Sequence, residues 1–592
     1  MILDKIVDEI IEKIEKATKM DKKVLKRALE VSSMSNKPNC TLFLLRIRKD
    51  AKDFAENFYN EIVDANIEII KDLTLKGLEP KDQSVTNKNI DLKDLSLSSK
   101  PTKDNGPSIS FNINMKLYFA NILKMISEKK EDFGSNKLGE GKTILIDFSS
   151  PNIAKIFHIG HFRTTVLGNF VKKLYLFCGY KTVGINYLGD WGKQFGLVLL
   201  GYKLHGSEEE LENDPIKHLF DVYVKINKDV ENDPTLDDKA KEIFMKMEKE
   251  KNEEYLDLWK KFRAKSIEKY KKLYKRMNIE FDEYSGESLY EEKGKQIVET
   301  LPFLVEKKDG SKAVDLGKLG MPMIIKGDGT SLYLTRDIAA VVDRCERFSP
   351  EKIIYVVSSE QNLYFEQLKA TVKKMGYDEK ILQHINFGLV SGMSTRKGTV
   401  KFLEDIIDLA TDVMKDEINQ NPEKAAKIAD IDYTALQLAI STLVIMDFSA
   451  KRIKGYEFDV EKRAKNVNGT GPYFQYAHCR LNSIQERNSH LSIEDLSSID
   501  FDLISNDDVF QIVYKFIWFE KLIVCCLDDH EPSKIVTYMQ DLCGTINFIV
   551  DKYKVLGVEE DLAKSRLLVL SCAKIVLGNA LRLLGCNPLL KM

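Results

Sequence analysis

Near the start of the chain Ile2, Ile6, Ile10 and Ile14 recur every four positions with acidic and lysine residues between them, a stripe that predicts an amphipathic helix packed on a small domain. Residues 1 to about 75 read as helical throughout. From Lys81 to Pro107 the stretch KDQSVTNKNIDLKDLSLSSKPTKDNGP is rich in turn formers and poor in large apolar residues, and it predicts a linker. Apolar patterning returns in SISFNINMKLYFANILKMI, which closes this first segment.

A different rhythm begins at Ile144. Ile144 to Phe148 is an apolar run of strand length. A polar loop follows, and from Gly160 the residues Val166, Leu167, Phe170, Val171, Leu174 and Phe177 keep helical spacing as far as Gly179. Strand, loop, helix puts the loop at the carboxyl end of a sheet strand, where open α/β folds bind nucleotides. Thr182 to Tyr187, IIYVVSSEQN and the strand Ile385 to Val390 in HINFGLV repeat the strand signal. MIIKGDGTSLYLTRD reads as a hairpin turning at Gly327 to Gly329, with Tyr333 and Asp337 leading into a helix. The alternation predicts a parallel sheet covered on both faces. Residues from about 205 to 300 read as a charged helical insertion, and from about Asp430 the pattern is helical to the end.

Composition adds limits. Length alone suggests roughly three or four domains, and the net charge of −2 gives no global basic signal, so a nucleic acid would have to meet local patches. One such patch is Lys260 to Arg276, with nine basic residues against a single acid, Glu268, and Tyr270 and Tyr274 among them. It reads equally as a solvated helix face or as a nucleic-acid surface. The nine cysteines show no CxxC pair and no Cys/His ligand spacing, so neither disulfides nor zinc are expected. No signal-peptide core or uninterrupted membrane-length apolar run is visible, and the expected setting is the cytoplasm, away from membranes.

The loop after Ile144 to Phe148 carries the candidate chemistry. His158 and His161 flank Ile159 and Gly160 at a helix start. Unpaired backbone N–H groups and the helix dipole favour phosphate there. Gly160 permits close approach, both imidazoles can donate to phosphate oxygens, and Lys155 adds a mobile cation. No GxGxxG or Walker A run occurs in this loop.

The four letters HIGH at His158 to His161, inside SSPNIAKIFHIGHFRTT and followed by NYLGDWGKQFG at Asn186 to Gly196, resemble the class I aminoacyl-tRNA synthetases and, among them, the eukaryotic cytosolic arginyl type. The resemblance implies a Rossmann-like α/β catalytic domain at 136–430 carrying the insertion near 205–300. It further implies an α+β N-terminal domain at 1–135 that contacts tRNA, and an all-helical anticodon-binding domain at 431–592. MSTRKGT, Met393 to Thr399, resembles the second class I signature, KMSKS, with Gly392 where the first lysine would stand. The resemblance implies that Lys155 supplies the missing charge.

By the same resemblance His158, His161 and Lys155 are catalytic, and His158, Gly160, His161, Met393, Ser394, Arg396 and Lys397 bind ATP. Ser150, Pro151, Asn152, His161, Tyr333, Asp337 and Gln361 line the arginine site, and Glu287 of YSGES is a second carboxylate. Asp337 suits that role chemically, because a guanidinium pairs bidentately with a carboxylate. Tyr476, His478 and Arg480 in NVNGTGPYFQYAHCRLNSI are the tRNA contacts. ATP with Mg²⁺, L-arginine and tRNA(Arg) are the expected reactants, with no zinc and no protein-held metal. Whether the chain works as a homodimer or in a synthetase complex stays open. The competing readings are another class I synthetase, such as the cysteinyl or glutaminyl type, and a non-catalytic tRNA-binding scaffold. Absence of a zinc motif speaks against the cysteinyl type, and the SPN and YLTRD runs against both.

Overall fold

The computed structural model describes residues 1–32, 39–77, 106–153, 155, 157–327, 329–391, 402–457 and 468–592. They form two compact units, the first of residues 1–134, 484–522 and 544–576, the second of 135–483, 523–543 and 577–592.

In the first unit Leu3, Ile6, Val7, Ile10, Ile11 and Ile14 form the buried face of helix Ile2–Thr18. The expectation of an entirely helical start needs correction. Leu29–Val31, Cys40–Phe43 and Ile70–Lys76 are strands of a four-stranded antiparallel sheet completed by Ser108–Ile113. Cys40 faces Phe111 and Leu42 faces Ile109 across the pairing. Leu29–Val31 and Cys40–Phe43 are too short to show a period of two, and both Cys40–Phe43 and Ile70–Lys76 pair with Ser108–Ile113 on the far side of the expected linker. Most of the expected linker, 78–105, lies outside the described residues.

The second unit holds the site. Five parallel strands form its sheet: β1 Thr143–Asp147, β2 Lys181–Leu188, β3 Glu283–Gly286, β4 Lys352–Ser358 and β5 Leu382–Phe387, in the spatial order β5-β4-β1-β2-β3. Ile144 pairs with Lys352 on one side and Thr182 on the other. Ile144, Leu145 and Ile146 are fully buried, as strands covered on both faces must be. The order reverses between β1 and β4, which opens a crevice at their carboxyl ends.

Six helices of this unit bear on the site or its surroundings: α1 Ile159–Phe177, α2 Glu253–Arg276, α3 Tyr333–Phe348, α4 Asn362–Lys374, α5 Leu403–Asn419 and α6 Ile431–Phe448. The insertion between β2 and β3 is helical, as its charge pattern predicts, and ends in α2. Helix α6 alone among the described helices has the length and hydropathy to cross a membrane, and 78% of it is buried inside the protein.

The strand read as Ile385 to Val390 is broken. β5 stops at Phe387, and Val390–Ser391 pairs instead with Tyr456–Glu457. Gly388 marks the break, because a Cβ there would lie 2.6 Å from the Ile453 carbonyl oxygen.

Candidate active site

The loop after β1 is held in an unusual conformation. Ser149 and Ser150 both take positive φ, 69° and 48°, a cost that persists only where the surroundings impose it. The surroundings are specific. The Ser149 amide donates to Thr164 Oγ1 at 3.2 Å, and its hydroxyl lies 2.7 Å from Tyr274 Oη and accepts from Thr165 Oγ1 at 2.7 Å. Ser150 Oγ donates to Asp147 Oδ1 at 2.8 Å and accepts from the Tyr187 amide at 3.2 Å. Pro151 is buried, and Asn152 forms a bridge with Gly189 in the turn after β2. Thr164 Oγ1 in turn donates to Val356 O, so the start of α1 is tied to β4 across the crevice.

At the head of α1 the backbone amide of His158 donates to His161 Nδ1 at 3.2 Å, and that of Gly160 donates to His158 Nδ1 at 3.0 Å. With both Nδ1 atoms accepting, the ring proton of each imidazole sits on Nε2. Burial lowers the His158 pKa and, with the neighbouring His158, takes His161 down to about 3. The pair is therefore neutral and presents two N–H donors without charge. The Lys155 side chain, three residues before His158 in sequence, is exposed.

Asp337 stands in the first turns of α3 and Tyr364 at the start of α4, the helices that precede and follow β4, so both lie at the carboxyl edge of the sheet. Tyr364 Oη donates to Asp337 Oδ2. Burial raises the Asp337 pKa, the Tyr364 hydrogen bond opposes the rise, and the charge of Asp147 at the end of β1 adds to it. Asp147 is itself buried and ion-paired with Arg344 Nη2 at 2.7 Å, while Arg344 Nη1 donates to Tyr355 Oη at 3.1 Å. The Tyr187 hydroxyl is buried without a hydrogen-bond partner among the described residues, within electrostatic reach of Asp337 and Glu287.

Glu287 is engaged within the protein: Arg336 lies 3.0 Å from it and 3.2 Å from Glu291. Burial lifts the Glu287 pKa to about 8 against the pull of Arg336, with Asp337 and Asp190 adding to the rise. Tyr333 is 60% exposed under the Arg336 guanidinium, 5.1 Å from the ring centroid, and Gln361 is exposed in the turn after β4. Met393, Ser394, Arg396 and Lys397 lie outside the described residues.

Arg163, two residues beyond the second histidine, is 1% exposed. Its Nη1 donates to Gly388 O at 2.5 Å and Lys454 O at 2.9 Å, and its Nε lies 3.3 Å from Asp447 of α6. It thus joins the histidine helix to the segment leaving β5 and to α6.

Among the tRNA candidates, Tyr476 is 40% exposed, whereas His478 is buried and its Nδ1 bonds Leu589 O at 2.8 Å. That places His478 in the packing of the C-terminal tail. Arg480 shares their helix, Gly471–Arg487. The basic run at 260–276 resolves into separate roles. Tyr270 and Tyr274 are core residues. Arg263 pairs with Asp190 at 2.6 Å, Lys265 with Glu212 at 2.7 Å and Lys269 with Glu404 at 2.6 Å.

Sequence reasoning missed Tyr364, Arg344, Asp147, Tyr187 and Arg163. Two of them carried a signal: Asp147 ends an otherwise apolar strand, and Arg344 sits on the apolar stripe of α3, where an unpaired charge is costly. Among the described residues no group of three or more His, Cys, Asp or Glu side chains could hold a metal ion.

Comparison with known proteins gives a consistent answer. The family model "tRNA synthetases class I (R), catalytic domain" matches residues 121–460, and "DALR anticodon binding domain" matches 474–592. The chain is 50% identical to the arginine–tRNA ligase of Encephalitozoon cuniculi over 592 residues, all of both chains. It is 40% identical to the cytoplasmic arginine–tRNA ligase of Saccharomyces cerevisiae over 545 residues, 88% of each. In fold it is similar to the Plasmodium falciparum arginyl-tRNA synthetase, with a TM-score of 0.76 at 22% identity over 98% of this chain and 99% of that one. The Thermus thermophilus arginyl-tRNA synthetase gives a TM-score of 0.74 at 16% identity over 99% of each.

Proposed function

The chain belongs to the class I arginyl-tRNA synthetases, and from that premise we propose how its crevice carries out the arginine–tRNA ligase reaction. The arginine carboxylate attacks the α-phosphorus of ATP, pyrophosphate leaves, and the terminal ribose of tRNA(Arg) then takes the arginyl group and releases AMP. The work for the protein is positioning and charge neutralisation. The rival class I activities and the non-catalytic scaffold fall away with the family assignment.

The reading rests on one observation: the histidine pair after β1 and the Asp337–Tyr364 pair flanking β4 share the carboxyl edge on the two sides of the switch point. His158, Gly160 and His161 supply neutral N–H donors to the triphosphate. Lys155, Arg396 and Lys397 supply the cations, with Met393 and Ser394 in the same signature. Mg²⁺ would accompany ATP and help neutralise the leaving pyrophosphate. Asp337 takes the guanidinium, Tyr364 and the unpartnered Tyr187 hydroxyl hold the carboxylate and the remaining N–H groups, and Tyr333 and Gln361 close the site. Ser150, Pro151 and Asn152 carry the polar end of the amino acid, and Glu287, engaged by Arg336, is the second acidic group of the pocket. A neutral or shorter amino acid leaves the half-buried Asp337 carboxylate without a counter-ion, at a cost of up to roughly 3 kcal/mol.

Residues 1–135 are assigned to an outer tRNA contact and 431–592 to the anticodon, with Tyr476 and Arg480 on the RNA side; the catalytic segment is 136–430. The cytosol is the proposed compartment, in keeping with the cytoplasmic relative. Arginine-dependent pyrophosphate exchange, with and without tRNA, tests the reading. Exchange that requires both arginine and tRNA is the expected result, and exchange driven by another amino acid would overturn it.

A further inference from the structure

Two lysines in the last part of the basic run, Lys272 and Lys275, do not join the ion pairs of the rest among the described residues. Lys272, Lys275 and Arg276 of α2 meet Lys172 and Lys173 of α1 around a cavity of about 830 Å³, whose floor is Asn278, Gln437 and Asn587. Asn278 Nδ2 donates to Gln437 Oε1 at 2.8 Å, and Asn587 Nδ2 donates to Asn278 Oδ1 at 2.8 Å, so the floor is fixed. Lys172 is neutralised by Asp282 at 2.7 Å, and Arg276 by Glu404 and Asp408. Lys173, Lys272 and Lys275 make no ion pair among the described residues, and Glu280 is the single acid in the lining. Lys173 is half-buried, and burial with the charge of Lys172 lowers its pKa although Glu280 pulls the other way. Three uncompensated ammonium groups around one concavity favour a multiply charged anion.

The cavity is also apolar on one side. Leu176 is 59% exposed and Tyr433 is 48% exposed, and both line it. Its volume lies within the usual range for small-molecule sites. It is remote from the catalytic edge: Lys173 lies twelve residues along α1 from His161, about 18 Å at the helical rise, and Glu280 lies three residues before β3, on the side of its amino end.

We propose that this cavity is a second, non-catalytic site for a nucleoside polyphosphate, with the phosphates on Lys173, Lys272 and Lys275 and the base against Tyr433 and Leu176. A concave pocket with an aromatic wall at the edge opposite the crevice fits a free nucleotide better than an RNA backbone, which needs an open track of cations.

Equilibrium dialysis of the full chain against ATP tests it. Two ATP sites per chain are expected, falling to one in Lys272→Glu/Lys275→Glu, both exposed positions, with arginine- and tRNA-dependent exchange changed less than twofold. Tyr433→Ala keeps every cation and should weaken the second ATP site about tenfold while leaving tripolyphosphate binding there unchanged. A single site in the unaltered chain, or two in the charge-reversed one, overturns the proposal. So does tripolyphosphate binding as tightly as ATP. A tenfold rise in the KM for tRNA with ATP stoichiometry unchanged would assign the surface to RNA and likewise overturn it. Loss of exchange in the unaltered chain would instead strike the catalytic reading and leave this stoichiometry test standing.

Discussion

Tyr364 donates its phenolic hydrogen to Asp337, so the carboxylate at the carboxyl edge of β4 is oriented by a neighbour that is itself half-buried in the core beside it. A fixed acceptor loses less freedom on binding a planar guanidinium than a mobile one. Tyr364→Phe removes the donor and keeps the ring. We expect the KM for arginine to rise about 10- to 100-fold, the worth of a hydrogen bond to a charged group, with the KM for ATP unchanged. Asp337→Ala should abolish arginine activation while ATP still binds. Near-normal pyrophosphate exchange in that variant would refute the pocket.

The two imidazoles are neutral because burial depresses their pKa, His161 to about 3. His161→Ala should lower the activation rate about 10²- to 10³-fold, the usual loss for one preorganised donor to developing charge. His161→Gln, which returns an N–H near the Nε2 position, should recover part of it. The pH–rate profile of the unaltered chain should show no histidine limb between pH 6 and 8. A limb near pH 6.5 that vanishes in His161→Gln would contradict the assignment.

Glu287 couples stability to pH. Its pKa rises from 4.5 to about 8 through burial, so between those values the folded chain holds a proton that the unfolded chain has lost. Stability from this group therefore falls as pH rises from 4.5 to 8, and the full penalty is present above 8. Glu287→Gln should unfold like the unaltered chain near pH 4 and be more stable at pH 8 by about 1 kcal/mol or more. Denaturant midpoints across that range measure it, and equal pH slopes in the two chains would count against it.

Arg163 is buried against two carbonyls and Asp447, whose pKa burial pushes up to about 6. Arg163→Met leaves Asp447 uncompensated and should cost about 3–5 kcal/mol. Asp447→Asn leaves the carbonyl contacts in place and should cost less. The order of the two denaturant midpoints decides the matter.

Much of the site was legible. The strand Ile144 to Phe148 and the helix beginning at the histidines each follow from a local period and stand where the pattern places them, whereas the hairpin before Asp337 is reduced to one bridge, Ile325 to Ser331, because Met323–Ile325 pairs with Lys312–Val314. Glu287 was legible only as a carboxylate; that Arg336 occupies it depends on α3 packing beside the end of β3. The run from Lys260 to Arg276 could not be divided by inspection. Its residues part company because α2 turns Tyr270 and Tyr274 inward, Arg263 toward Asp190, and Lys272 and Lys275 toward the cavity beside α1.

The sequence by itself determined most of the order of strands and helices around the histidine loop, the family, and the identity of the groups that could meet a phosphate or a guanidinium, because periodicity and short motifs are properties of neighbouring residues. Only the tertiary structure decided which charges are spent on one another and which remain for a ligand. Tyr364 reaches Asp337 from 27 residues away, Arg344 reaches Asp147 from 197, and Arg163 reaches Lys454 from 291. Ion pairing falls off within a few ångströms, so separation along the chain carries no information about it until the sheet has brought the strand ends together.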